Sequence, residues 1–92
     1  MAVVNELNQS IEWEMRGIPL WLIREYLVEM GGRAINPNLI EGEGWMVTLS
    51  QMADYQIGSI SIGQVRLTLK AKVATMNTIK PALEKKLIRA GG

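Results

Sequence analysis

The stretch GQVRLTLKAKV, residues 63–73, decides the fold. Apolar side chains occupy every second position from Val65 to Val73, and polar or basic side chains occupy the positions between them. This period of two predicts a β-strand with one buried face. Such a strand is stable only within a sheet whose apolar face is covered. The rest of the chain must therefore supply partner strands and a covering layer.

Several other segments supply candidate partner strands. SIEWEMR (residues 10–16) and WMVTLSQM (residues 45–52) alternate in the same way. Two short strands are predicted around the turn residues NPN (residues 36–38), and glycines at 42 and 44 interrupt the second of them. The stretch YQIGSISIG (residues 55–63) also alternates, but Gly58 and Gly63 interrupt it. We therefore expect a turn or a β-bulge at one or both of these glycines.

Two amphipathic helices complete the pattern. The first begins near Pro19, carries apolar residues at helical spacing and stops at Gly31-Gly32. The second is predicted to begin near Thr78 as the N-cap, with Pro81 in its first turn, where the missing N–H costs little. Gly91 stands where a left-handed C-cap glycine is expected. The apolar stripes comprise Leu20, Ile23, Leu27 and Met30 in the first helix, and Ile79, Leu83 and Leu87 in the second.

The order of these elements predicts an α+β fold. Residues 1–9 are expected to form a loose N-terminal arm, and residues 10–92 a single two-layer domain. That domain has an antiparallel sheet of about four to five strands with two helices on one face, in the order β-α-β-β-β(β)-α. Placing both helices on the same face is the simplest way to bury both apolar stripes.

Composition excludes several kinds of chemistry. The 92 residues include no cysteine and no histidine, so thiol nucleophiles, Cys/His zinc sites and serine–histidine triads are absent. No stretch predicts a cofactor or a metal site, and we expect a protein that is not an enzyme. The N-terminus has no signal-peptide pattern, and no apolar run approaches the length of a membrane span. We therefore expect a cytoplasmic protein that does not contact a membrane.

The net charge of +1 hides an uneven distribution. Residues 1–54 are mainly acidic and residues 55–92 mainly basic. If the strands that carry Glu12, Glu14 and Arg66 are neighbours, opposite charges pair across the sheet. Such a mixed face would repel phosphates, so nucleic-acid binding through the sheet is disfavoured. The candidate anion-facing residues lie on the last helix, where they form either a phosphate-binding face or a solvated face: Lys80, Lys85, Lys86 and Arg89.

Trp21 is the candidate anchor of an interface. It lies about 100° around the first helix from Leu20, on the flank that also carries Glu25 and Val28. An exposed tryptophan of this kind often anchors a contact with another protein. The alternative is that Trp21 is covered by the edge of the sheet or by residues 1–9. The expected partner is another protein or a second copy of the chain, bound through this flank or through an exposed edge of the sheet.

Five short motifs, in this order, connect the chain with a known family. They are MRGIP (residues 15–19), EYLVEMGG (25–32), EGEGW (41–45), IGSISIGQVRL (57–67) and the terminal RAGG (89–92). The chain resembles an uncharacterised domain that occurs alone or at the C-terminus of molybdopterin sulfur-carrier (MoaD)-related proteins. The resemblance implies a TATA-binding-protein-like fold and a link to molybdopterin or sulfur-carrier pathways. It implies no catalytic residues.

Gly91 and Gly92 allow two interpretations. Sulfur carriers and ubiquitin-like modifiers act through the carboxylate of a C-terminal diglycine, so this pair is a candidate carrier tail. Glycine also ends helices for purely structural reasons, and here the pair follows an amphipathic helix directly. The sequence therefore predicts a non-enzymatic interaction or accessory domain, with a diglycine-tailed carrier as the alternative.

Overall fold

A computed structural model describes the backbone of residues 9–91 and the side chains of residues 9–88. Within this part of the chain, five strands and two helices follow one another in the order β-α-β-β-β-β-α, which confirms the predicted α+β fold. The elements are β1 (Gln9–Arg16), α1 (Leu20–Glu29), β2 (Arg33–Asn36), β3 (Leu39–Gly42), β4 (Trp45–Ile57), β5 (Ile60–Ala71) and α2 (Val73–Gly91).

The five strands form one antiparallel sheet in the order β1-β5-β4-β3-β2. Most of the stretch that decides the fold lies in β5, which pairs with β1 on one side and with β4 on the other. In the register between β1 and β5, Trp13 lies opposite Leu67 and Glu14 lies opposite Arg66. Alternate side chains therefore point to the same face in both strands.

Both helices cover one face of the sheet, and the core lies between the two layers. α1 contacts β2 and β3, whereas α2 contacts β1, β4 and β5. The alternating apolar residues of β4 and β5 meet the apolar stripes of the helices there, as predicted. The largest fully buried side chains are Ile23, Leu27, Ile40, Val47, Leu49, Val65, Leu67, Leu69 and Leu83.

α1 begins and ends as the sequence predicts. The carbonyl of Pro19 accepts hydrogen bonds from the N–H groups of Leu22 and Ile23. At the other end, Gly31 has a φ of 102°, and the N–H of Gly32 donates to the carbonyl of Leu27. A left-handed glycine that ends a helix in this way satisfies carbonyl groups of the last turn.

The predicted start of α2 is wrong. The helix begins at Val73 rather than near Thr78, so Pro81 lies inside it and not in its first turn. Lys72 makes the transition from β5, because its N–H donates to Gly44 and its carbonyl accepts from Met76. The longer helix buries Met76 against the core, which offsets the hydrogen bond that Pro81 cannot donate.

Both ends of the chain lie partly outside the described residues. Residues 1–8 of the predicted N-terminal arm are not described, while Gln9 is the first residue of β1 and pairs with Ala71. Neither helix in residues 9–91 combines the length and the apolar character that crossing a membrane requires. The TATA-binding-protein-like fold stays a prediction.

Candidate functional site

Trp21, Glu25 and Val28 lie along one side of α1, which we call the α1 flank. Their spacing of four and three residues places them one above another on the same side of the helix. The side chain of Trp21 is 54% exposed and that of Val28 is 46% exposed, although Ile23 and Leu27 on the neighbouring side are fully buried. More than half of the Trp21 side chain is therefore open to solvent. Residues 1–9, the other predicted cover for Trp21, lie largely outside the described part of the chain.

A shallow groove of about 320 Å³ runs between α1 and the edge strand β2. Arg24 helps to line it, and its guanidinium donates a hydrogen bond of 3.2 Å to the carbonyl of Pro37, in the turn after β2. Ile35 is exposed where the register of β2 shifts. The groove combines apolar walls with charges of both signs, and its lining residues are Arg24, Glu25, Val28, Glu29 and Ala34.

The outer face of the sheet, opposite the helices, carries the predicted charge pairs. The guanidinium of Arg66 lies between two carboxylates of β1, with N–O distances of 3.1 Å to Glu12 and 3.3 Å to Glu14. All three side chains are about half exposed, so water screens the attraction. The pairing leaves this face mixed in sign, and a mixed face does not favour a phosphate backbone.

Two of the three basic residues of α2 whose side chains are described lie beside carboxylates. Lys80 lies 3.9 Å from Glu84 one turn later, and the ammonium of Lys86 lies 3.0 Å from Glu29 of α1. Lys86 also lies 5.6 Å from the centre of the Tyr26 ring. Lys85 lines a shallow cleft with Lys86, Pro81 and Ala82. The side chain of Arg89 lies outside the described residues.

The first glycine of the candidate carrier tail lies within α2. Gly91 is the last residue of the helix, so the expectation that it forms a left-handed C-cap beyond the helix is wrong. Gly92 lies outside the described residues. Glycine is less favourable than alanine inside a helix by about 1 kcal/mol, so this end of α2 needs little free energy to unwind.

The motif EGEGW has a structural role in the turn between β3 and β4. A Cβ atom on Gly42 would collide with the indole ring of Trp45. Gly44 has a φ of 81°, and a Cβ atom there would lie 2.6 Å from the hydroxyl of Thr75. Glycine at position 42 makes room for the indole of Trp45, and glycine at position 44 lets the turn approach α2, so no bound ligand is needed to explain the motif. Within residues 9–88, no group of three acidic side chains is arranged to hold a metal ion.

Sequence reasoning missed one surface. Residues 53–62, which we call the hairpin arm, comprise the ends of β4 and β5 and the turn between them. β1 pairs with β5 as far as Gln64, with one further hydrogen bond from the N–H of Gly17 to the carbonyl of Gly63. On its other side, β4 is bonded as far as Leu49. The arm therefore extends beyond the sheet as a two-stranded ribbon, and the described residues measure 52 × 23 × 20 Å overall.

A β-bulge reverses the faces of the arm. Ala53 and Asp54 of β4 together lie opposite Gly63 of β5, so the alternation of β4 shifts by one residue at this point. The side-chain amide of Gln64 donates to the carbonyl of Ala53 at 3.0 Å. Gly58 forms the turn with a φ of 58°. The predicted turn and bulge are thus both present, at or opposite the two glycines.

Beyond the bulge, the apolar side chains of the arm lie on the outer face of the sheet. The guanidinium carbon of Arg16 is 3.7 Å from the centre of the Tyr55 ring, which fixes the side on which Tyr55 lies. Ile57 is 50% exposed and Ile60 is 60% exposed. The sequence signal was the change of alternation after Ile62, where the apolar positions change from even to odd numbers.

Comparison with known proteins gives one result on the family. No match was found among the curated proteins. The family model described as archaeal MoaD-like protein matches residues 11–92, which is nearly the whole chain and includes all five motifs from MRGIP to RAGG. The chain belongs to the family of archaeal MoaD-like proteins.

Proposed function

We propose that this protein is a small non-enzymatic interaction domain that serves as an accessory subunit and binds a protein partner through the α1 flank. The observation that carries the proposal is the exposure of Trp21, an aromatic residue that the core does not use. Burial of a tryptophan supplies a large apolar area, and tryptophan is enriched among the residues that dominate binding energy. Its place in a MoaD-like family supports a role in molybdopterin or sulfur-carrier pathways.

The α1 flank also suggests the chemistry of the partner. Trp21 and Val28 are apolar and exposed, with the carboxylate of Glu25 between them. A complementary surface has an apolar pocket for the indole and a basic group opposite Glu25. The groove beside β2 offers room for one apolar side chain of the partner, next to Val28 and Ala34. Such a contact places the aromatic anchor at the centre and the charges at the rim, which is the usual arrangement of a protein interface.

The test compares two exposed apolar residues of similar character. The wild-type protein, Trp21→Ala and the control Ile88→Ala are each immobilised and exposed to an extract of the native host. Ile88 is exposed on α2, away from the α1 flank, so its removal leaves the proposed surface intact. We expect one protein to be retained in stoichiometric amount by the wild type and by Ile88→Ala, and to be lost from Trp21→Ala. The same proteins retained by all three would contradict the proposal.

A diglycine-tailed carrier is the alternative function. The family match extends through Gly91 and Gly92, which favours this alternative. A carrier must present an extended tail to an adenylating enzyme, whereas α2 continues to Gly91, so its last turn would have to unwind. The free energy required is about 1 kcal/mol, which does not forbid the role.

Intact-mass analysis of protein purified from its native host distinguishes the two functions. For an interaction domain we expect the unmodified mass, and deletion of Gly91 and Gly92 should leave partner binding unchanged. A thiocarboxylate adds about 16 Da, because sulfur replaces oxygen at the C-terminal carboxylate. That shift, or a conjugate through Gly92, would make the tail the active part of the molecule.

A further inference from the structure

The hairpin arm has an apolar face of which Arg16 covers a part, by stacking on Tyr55, while Ile57 and Ile60 stay at least half exposed. Tyr55 lies opposite Ile62 and Ile57 lies opposite Ile60, and all four side chains lie on the outer face. The opposite face of the arm is polar, since the hydroxyl of Ser61 donates to Asp54 at 2.8 Å and accepts from Gln56 at 3.0 Å. The arm is therefore amphipathic, with its apolar side turned away from the core.

A ribbon of this kind needs a partner for its apolar face. Two strands alone are marginally stable in water, and their stability increases when the apolar face is covered. A contiguous exposed apolar patch is typical of an interaction site. The basic group next to the apolar face of the arm is Arg16 of β1, which stacks on Tyr55. The arm itself contributes only the negative charge of Asp54. This composition favours a protein surface over an anionic membrane.

We propose that the apolar face of the arm packs on the outer face of the sheet in a second copy of this chain, and that the two copies exchange arms reciprocally. The seat on the sheet comprises partly apolar side chains in adjacent strands. These residues are Leu39, Met46, Thr48, Thr68 and the aliphatic stem of Lys70.

The strand registers show that the two surfaces match in length. Met15, Val65 and Gln51 form one row across β1, β5 and β4. A twofold axis parallel to this row, on the outer side of the sheet, stacks the outer faces with their strands antiparallel. Counting outward along β5, Ile62 reaches Thr68 of the second copy and Ile60 reaches Lys70, whose aliphatic stem it contacts. Counting along β4, where the bulge adds one residue, Tyr55 reaches Thr48 and Ile57 reaches Met46 of the second copy.

The charges nearest this axis are those of Glu14, Arg16 and Arg66, and Arg66 lies opposite the uncharged Gln64 of the second copy. Glu14 and Arg16 lie one residue to either side of Met15 and both point to the outer face. The axis places Glu14 of each copy opposite Arg16 of the other, so two pairs of opposite charges form. A face-to-face arrangement in which Glu14 did not lie opposite Arg16 of the other copy would place like charges together and would be disfavoured.

The area available also favours reciprocal exchange. A stable interface buries about 800 Å² on each partner, whereas the largest patch on a monomer is typically about 300–600 Å². Contact between the two arms alone would bury only the surface of residues 53–62 in each copy. When each arm lies on the other sheet, each chain contributes both an arm and a seat, so the buried area approximately doubles.

The first test uses the apolar face of the arm. Sedimentation velocity at increasing concentrations, to high micromolar, should show a dimer for the wild type. Ile57→Glu should weaken dimerisation at least about tenfold, because it places a charge in the apolar contact. Asn77→Glu is the control, since it adds the same charge at an exposed position of α2, away from the arm, and it should dimerise like the wild type. Equal effects of both variants would contradict the proposal.

The second test uses the charge pairs. Glu14→Arg and Arg16→Glu should each weaken the dimer, because each places like charges opposite one another. The double variant Glu14→Arg/Arg16→Glu should restore it, which loss of folding could not produce. Trp21→Ala should leave the dimer intact, so the outcome is independent of the α1 flank. A monomer at all concentrations, a failure of the double variant to restore the dimer, or binding to phosphatidylcholine vesicles without dimerisation would overturn the proposal.

Discussion

β4 and β5 alternate apolar and polar side chains in two regions with different surroundings, and between these regions the apolar positions of β5 change from even to odd numbers. In the body of the sheet, Leu49 and Leu67 are fully buried beneath the helices. In the hairpin arm, Ile57 and Ile60 of the same two strands are at least half exposed. Alternation specifies which residues share a face, but neighbouring elements decide whether that face is covered. The helices do not cover the apolar face of the arm, because the bulge turns this face to the other side of the sheet.

The largest expected difference between the two regions concerns removal of an apolar side chain. Leu67→Ala should lower the free energy of unfolding by about 2–5 kcal/mol, because it leaves a cavity in the core. Ile60→Ala in the arm should change it by less than about 0.5 kcal/mol in the monomer. Urea unfolding at low protein concentration measures both. A comparable loss for Ile60→Ala would show that the arm is packed against the body.

A smaller difference is expected for two glycines. Gly42→Ala should lower the free energy of unfolding by about 1–3 kcal/mol, because the new methyl group collides with the indole of Trp45. Gly63 lies opposite the bulge, has no positive φ and has no atom within 4 Å of an added Cβ. Gly63→Ala should therefore change stability by less than about 1 kcal/mol. Thermal unfolding of the two variants provides the comparison, and a large loss at Gly63 would show that the bulge needs glycine.

The smallest effect on stability is expected for the ion pairs of the outer face, because they are exposed and do not contribute to the packing of the core. Replacing both Glu12 and Glu14 by Gln should lower the free energy of unfolding by at most about 2 kcal/mol, because the pairs with Arg66 are exposed. Weak binding to polyanions should increase as the face becomes more basic. Heparin binding at low salt measures this second effect.

A matched control separates the local pairs from the overall charge. Glu41→Gln/Glu43→Gln removes the same number of carboxylates from the region around the β3–β4 turn. It should raise heparin binding less and leave stability nearly unchanged. Tight, salt-sensitive DNA binding by the unmodified protein would contradict the charge arrangement of the outer face.

The sequence predicted most of the fold because its strongest signals are local. The period of two in β5 and the left-handed glycine at Gly31 follow from short-range geometry, and both are present. The start of α2 was not predictable in the same way. Residues Ala71 to Val73 fit a strand and a helix equally well, and contacts with Gly44 and the burial of Met76 decide between them.

The candidate surfaces differ in how far the sequence alone identified them. Trp21 was predicted on the flank of α1 from helical geometry, and its exposure agrees with that position. Lys86 was predicted as anion-facing, but its partner Glu29 lies 57 residues away in the sequence, and only the packing of the two helices brings them together. Long-range ion pairs of this kind leave no pattern in a single sequence.

The sequence by itself determined the α+β fold, the helix-covered face of β5 and the excess of charge on the outer face. These features depend on the period of side chains along one element, which the order of residues specifies directly. The tertiary structure alone decided the length of α2 and the exposure of the hairpin arm. In β4, odd-numbered residues are buried up to Leu49 and exposed from Ile57, although the alternation in the sequence does not change between them. Only the pairing with β5 places two residues opposite Gly63, and this one extra residue turns the apolar side chains from the core to the surface.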